Sequence, residues 1–203
     1  QMGIELYAYA SAIGGIAMDR DSFNLEERDN NPFAMPDAGA ALRIKKYADR
    51  KLEECNSMGG IIECVVKNMP AGIGEPVFDK LDANLAKAIM SIGAVKGVEI
   101  GDGFAAADST GLENNDAFRM KDGHIVKQTN HAGGILGGIS DGSDIVLRAA
   151  VKPTPSIAAT QHTVNKAGEE IDISIHGRHD PMIVPRAVVV VEAMTAITLV
   201  DML

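Results

Sequence analysis

Tryptophan is absent from this 203-residue chain, and three Tyr and five Phe supply all of its aromatic rings. A core without large rings is filled by Ala, Ile, Val, Leu and Met, and a hydrophobic share of 46% is ample for one. That share also excludes wholesale disorder. Basic residues are scarce too: nineteen Lys and Arg face twenty-eight Asp and Glu, for a formal charge of -9. With no basic stripe and no basic run interleaved with aromatics, nucleic acid and anionic membrane are poor partners. An anionic ligand would have to be met by local positive charge, which singles out Arg148, Lys152, Arg178 and Arg186. Only two cysteines are present, Cys55 and Cys64, at a spacing that fits neither a zinc site nor a redox pair. They read as idle thiols in a reducing cytoplasm, and no metal site is expected. The longest apolar stretch, 187–200, is interrupted by Glu192 and is short for a bilayer. No secretory signal opens the chain. Gln1-Met2-Gly3 leads directly into a strand-like alternation and reads as the middle of a protein.

What the chain does have is glycine and proline at telling places. The segment GGILGGIS (133–140) carries two glycine pairs, which leave backbone N–H groups uncovered and open to close approach by a flat or phosphorylated ligand. Beyond it a strand pattern, DIVLRAAV (144–151), runs into Lys152-Pro153-Thr154-Pro155-Ser156. There two prolines end the ladder and stiffen a loop that presents one ammonium and two hydroxyls. Further on, the alternation Ile171, Ile173, Ile175 stops at a glycine and is followed by Arg178, His179, Asp180 and Pro181. Each piece has a second reading by spacing alone. The glycine segment matches no nucleotide-binding fingerprint and serves equally well as a turn between strands, and Arg178 with Asp180 serves as a salt-bridged corner.

Periodicity orders the rest. Residues 4–12 alternate as a half-buried strand that turns at Gly14-Gly15, and the polar stretch 19–36, with its prolines, reads as a loop. Asp37 caps a long amphipathic helix reaching about Asn56, with Ala41, Leu42, Ile44, Tyr47, Ala48, Leu52 and Cys55 on its apolar face. A strand over 61–67, with its run of Ile, Val and Cys, reads as buried on both faces or as part of a half-apolar sheet. A second helix over 81–92, with Glu75 a candidate cap, buries Leu81, Leu85, Ala88, Ile89 and Ile92, and a short strand follows at 98–100. Residues 107–127 read as a polar lid or edge excursion. Pro185 opens a final helix whose apolar middle calls for burial. Strand, helix, strand, helix, strands and a last helix make an α+β fold in which helices cover antiparallel sheet.

Taken together, VEIGDGF (98–104), TNHAGGILGGISDG (129–142), VKPTPSI (151–157) and GRHDPMIVPRAVVVVEAM (177–194) closely resemble the C-terminal half of chorismate synthase. GIELYAYASAIGGI (3–16) and the stretch 57–97 do so as well, so the resemblance spans residues 1–203 as the C-terminal portion of one such domain. It implies a β-α-β sandwich, a homotetramer, and a lyase of the shikimate pathway serving aromatic amino acid biosynthesis. The implied reaction is the 1,4-anti elimination of phosphate from 5-enolpyruvylshikimate 3-phosphate to give chorismate. Reduced FMN is the implied cofactor, with NADPH a candidate source of its electrons. Gly93, Ala94, Gly137, Lys152, Pro153, Thr154, Pro155, Ser156 and Arg178 match the flavin-contacting positions. Asp180 matches an aspartate that assists proton movement, and a carboxylate beside an arginine is suited to accepting one. The chain departs from the usual pattern at Cys55-Asn56, Gly93 and His131. It has no counterpart of the family's N-terminal histidines and phosphate-binding arginines. The expectation is therefore that these 203 residues alone do not turn over substrate. The alternative is a flavin-binding or assembly module without catalysis.

Overall fold

The computed structural model describes residues 3–175, 177 and 180–203. The opening alternation forms β1 (Glu5–Ile13), and Gly14-Gly15 reverses it into β2 (Ile16–Ala17). The stretch expected as loop contains a 3-10 turn (Arg20–Ser22) and the single-turn helix α1 (Glu27–Asn30). α2 follows (Ala38–Glu53), its Asp37 cap taking the Ala40 amide at 3.0 Å as the sequence predicts. Next come β3 (Gly60–Lys67), α3 (Leu81–Met90) and β4 (Val95–Ile100). Glu75 does not cap α3; its amide donates to the Asp79 carbonyl, and the cap residue, Lys80, offers no side-chain acceptor.

Residues 107–127 are largely ordered rather than a plain loop. A 3-10 turn (Gly103–Asp108) leads to α4 (Gly111–Asn114), held by a capping box between Thr110 and Glu113, and then to the hairpin of β5 (Phe118–Lys121) and β6 (His124–Lys127). A second small hairpin pairs β7 (Ile135–Leu136) with β8 (Ile139–Ser140), and β9 (Ile145–Val151) returns to the main sheet. β10 (Gln161–Val164) and β11 (Glu170–Ile173) form a third hairpin before α5 (Val184–Met202).

The main sheet is antiparallel throughout, in the order β2-β1-β3-β9-β4. Its register puts Ala8, Cys64, Leu147 and Ile100 in one row and Tyr9, Glu63, Arg148 and Glu99 in the next, which points to the opposite face. α5 packs on β1 and β3, and α3 packs on β4 and α5. Fully buried Ile62, Leu147, Leu85, Ile89 and Val191 belong to the resulting core, each worth about 1.5–3 kcal/mol of transfer free energy. Glu192, which interrupts the apolar run of α5, accepts the Ala8 amide at 2.9 Å. β3 is buried on both faces from Ile62 to Val66.

Two helices bury less than their sequences suggest. On α2 the buried residues are Ala40, Ala41, Ile44 and Ala48, while Leu42 and Leu52 face outward. On α5 Val189, Ile197 and Val200 are more than 60% exposed. One packed face of each helix is all that this sheet offers.

Candidate functional site

The ladder ends at one edge of the sheet, where Val151 of β9 stands between Gly60 of β3 and Val95 of β4. Here the amide of Lys152 donates to the carbonyl of Ala94 at 2.9 Å. Ala94 sits at φ 72°, in the left-handed region that an alanine occupies only at a cost of about 1–2 kcal/mol. Beside it, a side chain added at Gly93 would meet no atom within 4 Å. Helix end and proline loop thus meet beside open space.

The loop that follows is held from below by Ser57, Met58 and Gly59. Ser57 Oγ donates to the carbonyl of Thr154 at 2.6 Å. A Cβ on Gly59 would stand 2.3 Å from the Val151 carbonyl oxygen and 3.1 Å from Pro153, so only glycine permits this approach. The Met58 amide donates to the carbonyl of Pro181 at 2.8 Å, which brings the Asp180 corner to the same turn. Asp180 is paired with Arg186 at 2.7 Å and is partly exposed. Thr154 Oγ1 is buried without a hydrogen-bond partner, an orphan polar atom in the middle of the loop. Lys152 itself is exposed.

The structure therefore gathers Gly93, Ala94, Lys152, Pro153, Thr154, Pro155, Ser156 and Asp180 around one turn. Gly137 is elsewhere. It lies at the tip of the β7–β8 hairpin, whose Gly138 carbonyl accepts the amide of Leu81 at the opposite end of α3. Ten residues of helix, about 15 Å, separate the two places. Gly137, at φ 60°, has open space where a side chain would be. Arg178, with His176 and His179, lies outside the described residues.

The glycine segment has its own anchor. The Asp116 carboxylate accepts from the amides of His131 and Ala132 and from the Thr129 hydroxyl at 2.8–3.0 Å. Burial pushes this carboxyl up, but those donors and the Lys127 ammonium outweigh it and hold it at about 2. Lys127, almost fully buried, also bonds Asp141, whose amide returns to the carbonyl of Gly134. His131 pairs through Nδ1 with Asp102 at 2.6 Å.

Two of the four cations singled out for an anion are engaged otherwise. Arg148 is bound to Glu99 at 3.0 Å and to the Gly101 carbonyl at 2.9 Å, and Arg186 is taken by Asp180. Further along that row of the sheet, Glu63 is buried and gripped by both terminal nitrogens of Arg20 and by the Tyr9 hydroxyl. Burial raises the Glu63 carboxyl, yet these donors hold it below the usual range. The sequence reading assigned no function to Ser57, Gly59 or Asp116. A glycine pair next to a strand is a signal for close backbone approach at Gly59, whereas nothing in spacing marks a carboxylate thirteen residues ahead of its partner at Thr129.

The family model described as chorismate synthase matches residues 1–203 of this chain. Among curated proteins, the chorismate synthase of Lachnospira eligens is 66% identical over 203 residues, covering all of this chain and 56% of that protein. That of Archaeoglobus fulgidus is 54% identical over 201 residues, covering 98% and 56%. A crystal structure of chorismate synthase superposes with a TM-score of 0.80 at 31% identity, covering 98% of this chain and 56% of that one. The chain thus spans a little over half the length of the relatives it matches.

Proposed function

The chain belongs to the chorismate synthase family, and from that membership we propose that it builds part of a reduced-FMN site in an enzyme that eliminates phosphate from 5-enolpyruvylshikimate 3-phosphate. The observation that carries this reading is the junction at the sheet edge. There Ala94, Lys152 and Thr154 converge on one turn with Asp180, next to open space at Gly93 and with Thr154 Oγ1 left without a partner. A buried hydroxyl without a partner among the described residues, an exposed ammonium and bare backbone are the donor set that a flavin's anionic edge or phosphate needs. Bound there, reduced FMN would supply the electron density that assists loss of phosphate and of the C6 hydrogen in a reaction with no net redox change.

The residues of this chain divide the remaining work. Lys152 offers positive charge to the anion, and Thr154 and Ser156 offer hydroxyl donors. Asp180, paired with Arg186, is the carboxylate we assign to assisting proton movement. Gly137, on the far side of α3, contributes bare backbone. Arg178 completes the assignment as the resemblance implies. Family membership also supports a homotetramer, a cytoplasmic location and NADPH as electron source. Among the described residues no helix is long and apolar enough to cross a membrane.

Titration of FMN, oxidised and then dithionite-reduced, into the full-length protein tests the site. Lys152→Ala weakens binding of the reduced form about tenfold, the loss of one charge-assisted contact. Wild-type affinity in the variant, or no chorismate formed by the full-length protein with reduced FMN, would overturn the reading.

A further inference from the structure

Three consecutive residues, Ser57, Met58 and Gly59, touch the end of β9, the proline loop and the Pro181 segment at the sheet-edge junction. Ser57 Oγ holds the carbonyl of Thr154 at 2.6 Å, Met58 N holds the carbonyl of Pro181 at 2.8 Å, and Gly59 admits the Val151 carbonyl to a distance no side chain would allow. The turn is itself fixed. Met58 is 4% exposed in the main core, and the Gly59 carbonyl accepts the amide of Gly14 at 2.9 Å. On its other side the Cys55 carbonyl accepts the Ala159 amide at 3.2 Å, closing the far end of the proline loop.

The loop has few backbone donors of its own. Pro153 and Pro155 carry no N–H, so a five-residue stretch that would ordinarily own five backbone donors has three. The Ser57 hydroxyl bonds the carbonyl of Thr154, the residue whose own hydroxyl is buried and unpaired, while the Gln161 side-chain amide donates more weakly to the next carbonyl, Pro155, at 3.2 Å.

From this we infer that Ser57 is a positioning residue for the cofactor. Through the Thr154 carbonyl it sets the height of the Lys152–Ser156 loop, and through the adjoining Met58 amide the same turn sets the Asp180 corner, so that anion donors and proton acceptor keep one spacing. The inference rests on the flavin reading of this junction. It assigns Ser57 no contact with ligand.

Ser57→Ala and Ser57→Thr, each in the full-length protein, provide the test, with three readouts: affinity for dithionite-reduced FMN, thermal midpoint, and amide hydrogen exchange without ligand. The alanine variant is expected to bind reduced FMN about tenfold more weakly and to exchange faster at Ile157 and Ala159, whose amides close the loop, while its thermal midpoint stays near that of wild type. The threonine variant, which keeps the hydroxyl, is expected to recover most of the affinity. Wild-type affinity in Ser57→Ala would overturn the inference. So would equal losses in both variants accompanied by faster exchange throughout β3 and β9, since that pattern describes a residue of the fold. Failure of the wild type to bind reduced FMN is a separate result: it removes the cofactor reading, and a positioning role falls with it.

Discussion

Burial alone would raise the Asp116 carboxyl, yet two backbone amides, a hydroxyl and a buried lysine bring it to about 2. Its folded value lies below that of an unfolded aspartate near 3.9, so the linked stability is present above about pH 4 and is lost as the pH falls toward 2. The difference is worth about 2 kcal/mol. Asp116→Asn should lose about that much stability at pH 7, and its stability should fall less than that of wild type between pH 4 and 2. Urea unfolding at stepped pH measures both; parallel decline in the two proteins would exclude Asp116 as the source. Residues of this kind mark the limit of reading a sequence. The loop carrying Lys152, Thr154 and Ser156 is legible as a loop because its prolines end the ladder locally. The pairing of Arg148 is not legible in the sequence, because its partner, Glu99, is 49 residues away and faces it only through the register of β9 and β4. Asp116 escaped notice for the same reason, since its ligands are backbone amides, which carry no residue type.

β3 and β9 lie inside a five-stranded sheet, whereas β5–β6 and β10–β11 are each paired in a two-stranded sheet. A hairpin without a third strand or a packed face is marginal in water, and Phe118, Met120, Ile125 and Val164 are exposed on these two. Native-state hydrogen exchange should find the β10–β11 amides opening with far lower free energy than those of β3 and β9. Equal protection would mean that something covers this hairpin. The same contrast explains which elements the sequence revealed. β1, α2, α3 and β9 carry an apolar period, β3 and α5 a continuous apolar run, and their observed bounds lie within about three residues of those expected. Residues 19–36 and 107–127 carry none, because single-turn helices and exposed hairpins bury too little to impose one. A local cue existed at α4, where Thr110 and Glu113 form a capping box; α1 has no side-chain cap and left no such trace.

Over the whole molecule, a net charge of -9 leaves the positive potential at the sheet edge to single residues, of which Lys152 is exposed and Arg186 is paired with Asp180. The chain spans 56% of the length of its Lachnospira eligens relative, and the N-terminal histidines and phosphate-binding arginines that the resemblance implies have no counterpart in it. A protein of these 203 residues should therefore release no phosphate from 5-enolpyruvylshikimate 3-phosphate with reduced FMN, under conditions where the full-length enzyme does. Turnover by the short chain, followed as chorismate formation, would move the essential chemistry to residues present here. The sequence by itself determined the α+β class, the long elements and the family, because periodicity and ordered motifs are properties of neighbours along a chain. It also marked the proline loop. Only the tertiary structure decided that Ser57 and Gly59 hold that loop, that Arg148 is spent on Glu99, that Gly137 stands a helix length from Lys152, and that much of α5 faces outward. Each of these depends on distances between residues far apart in sequence, set when the strands pair and one face of each helix finds the sheet.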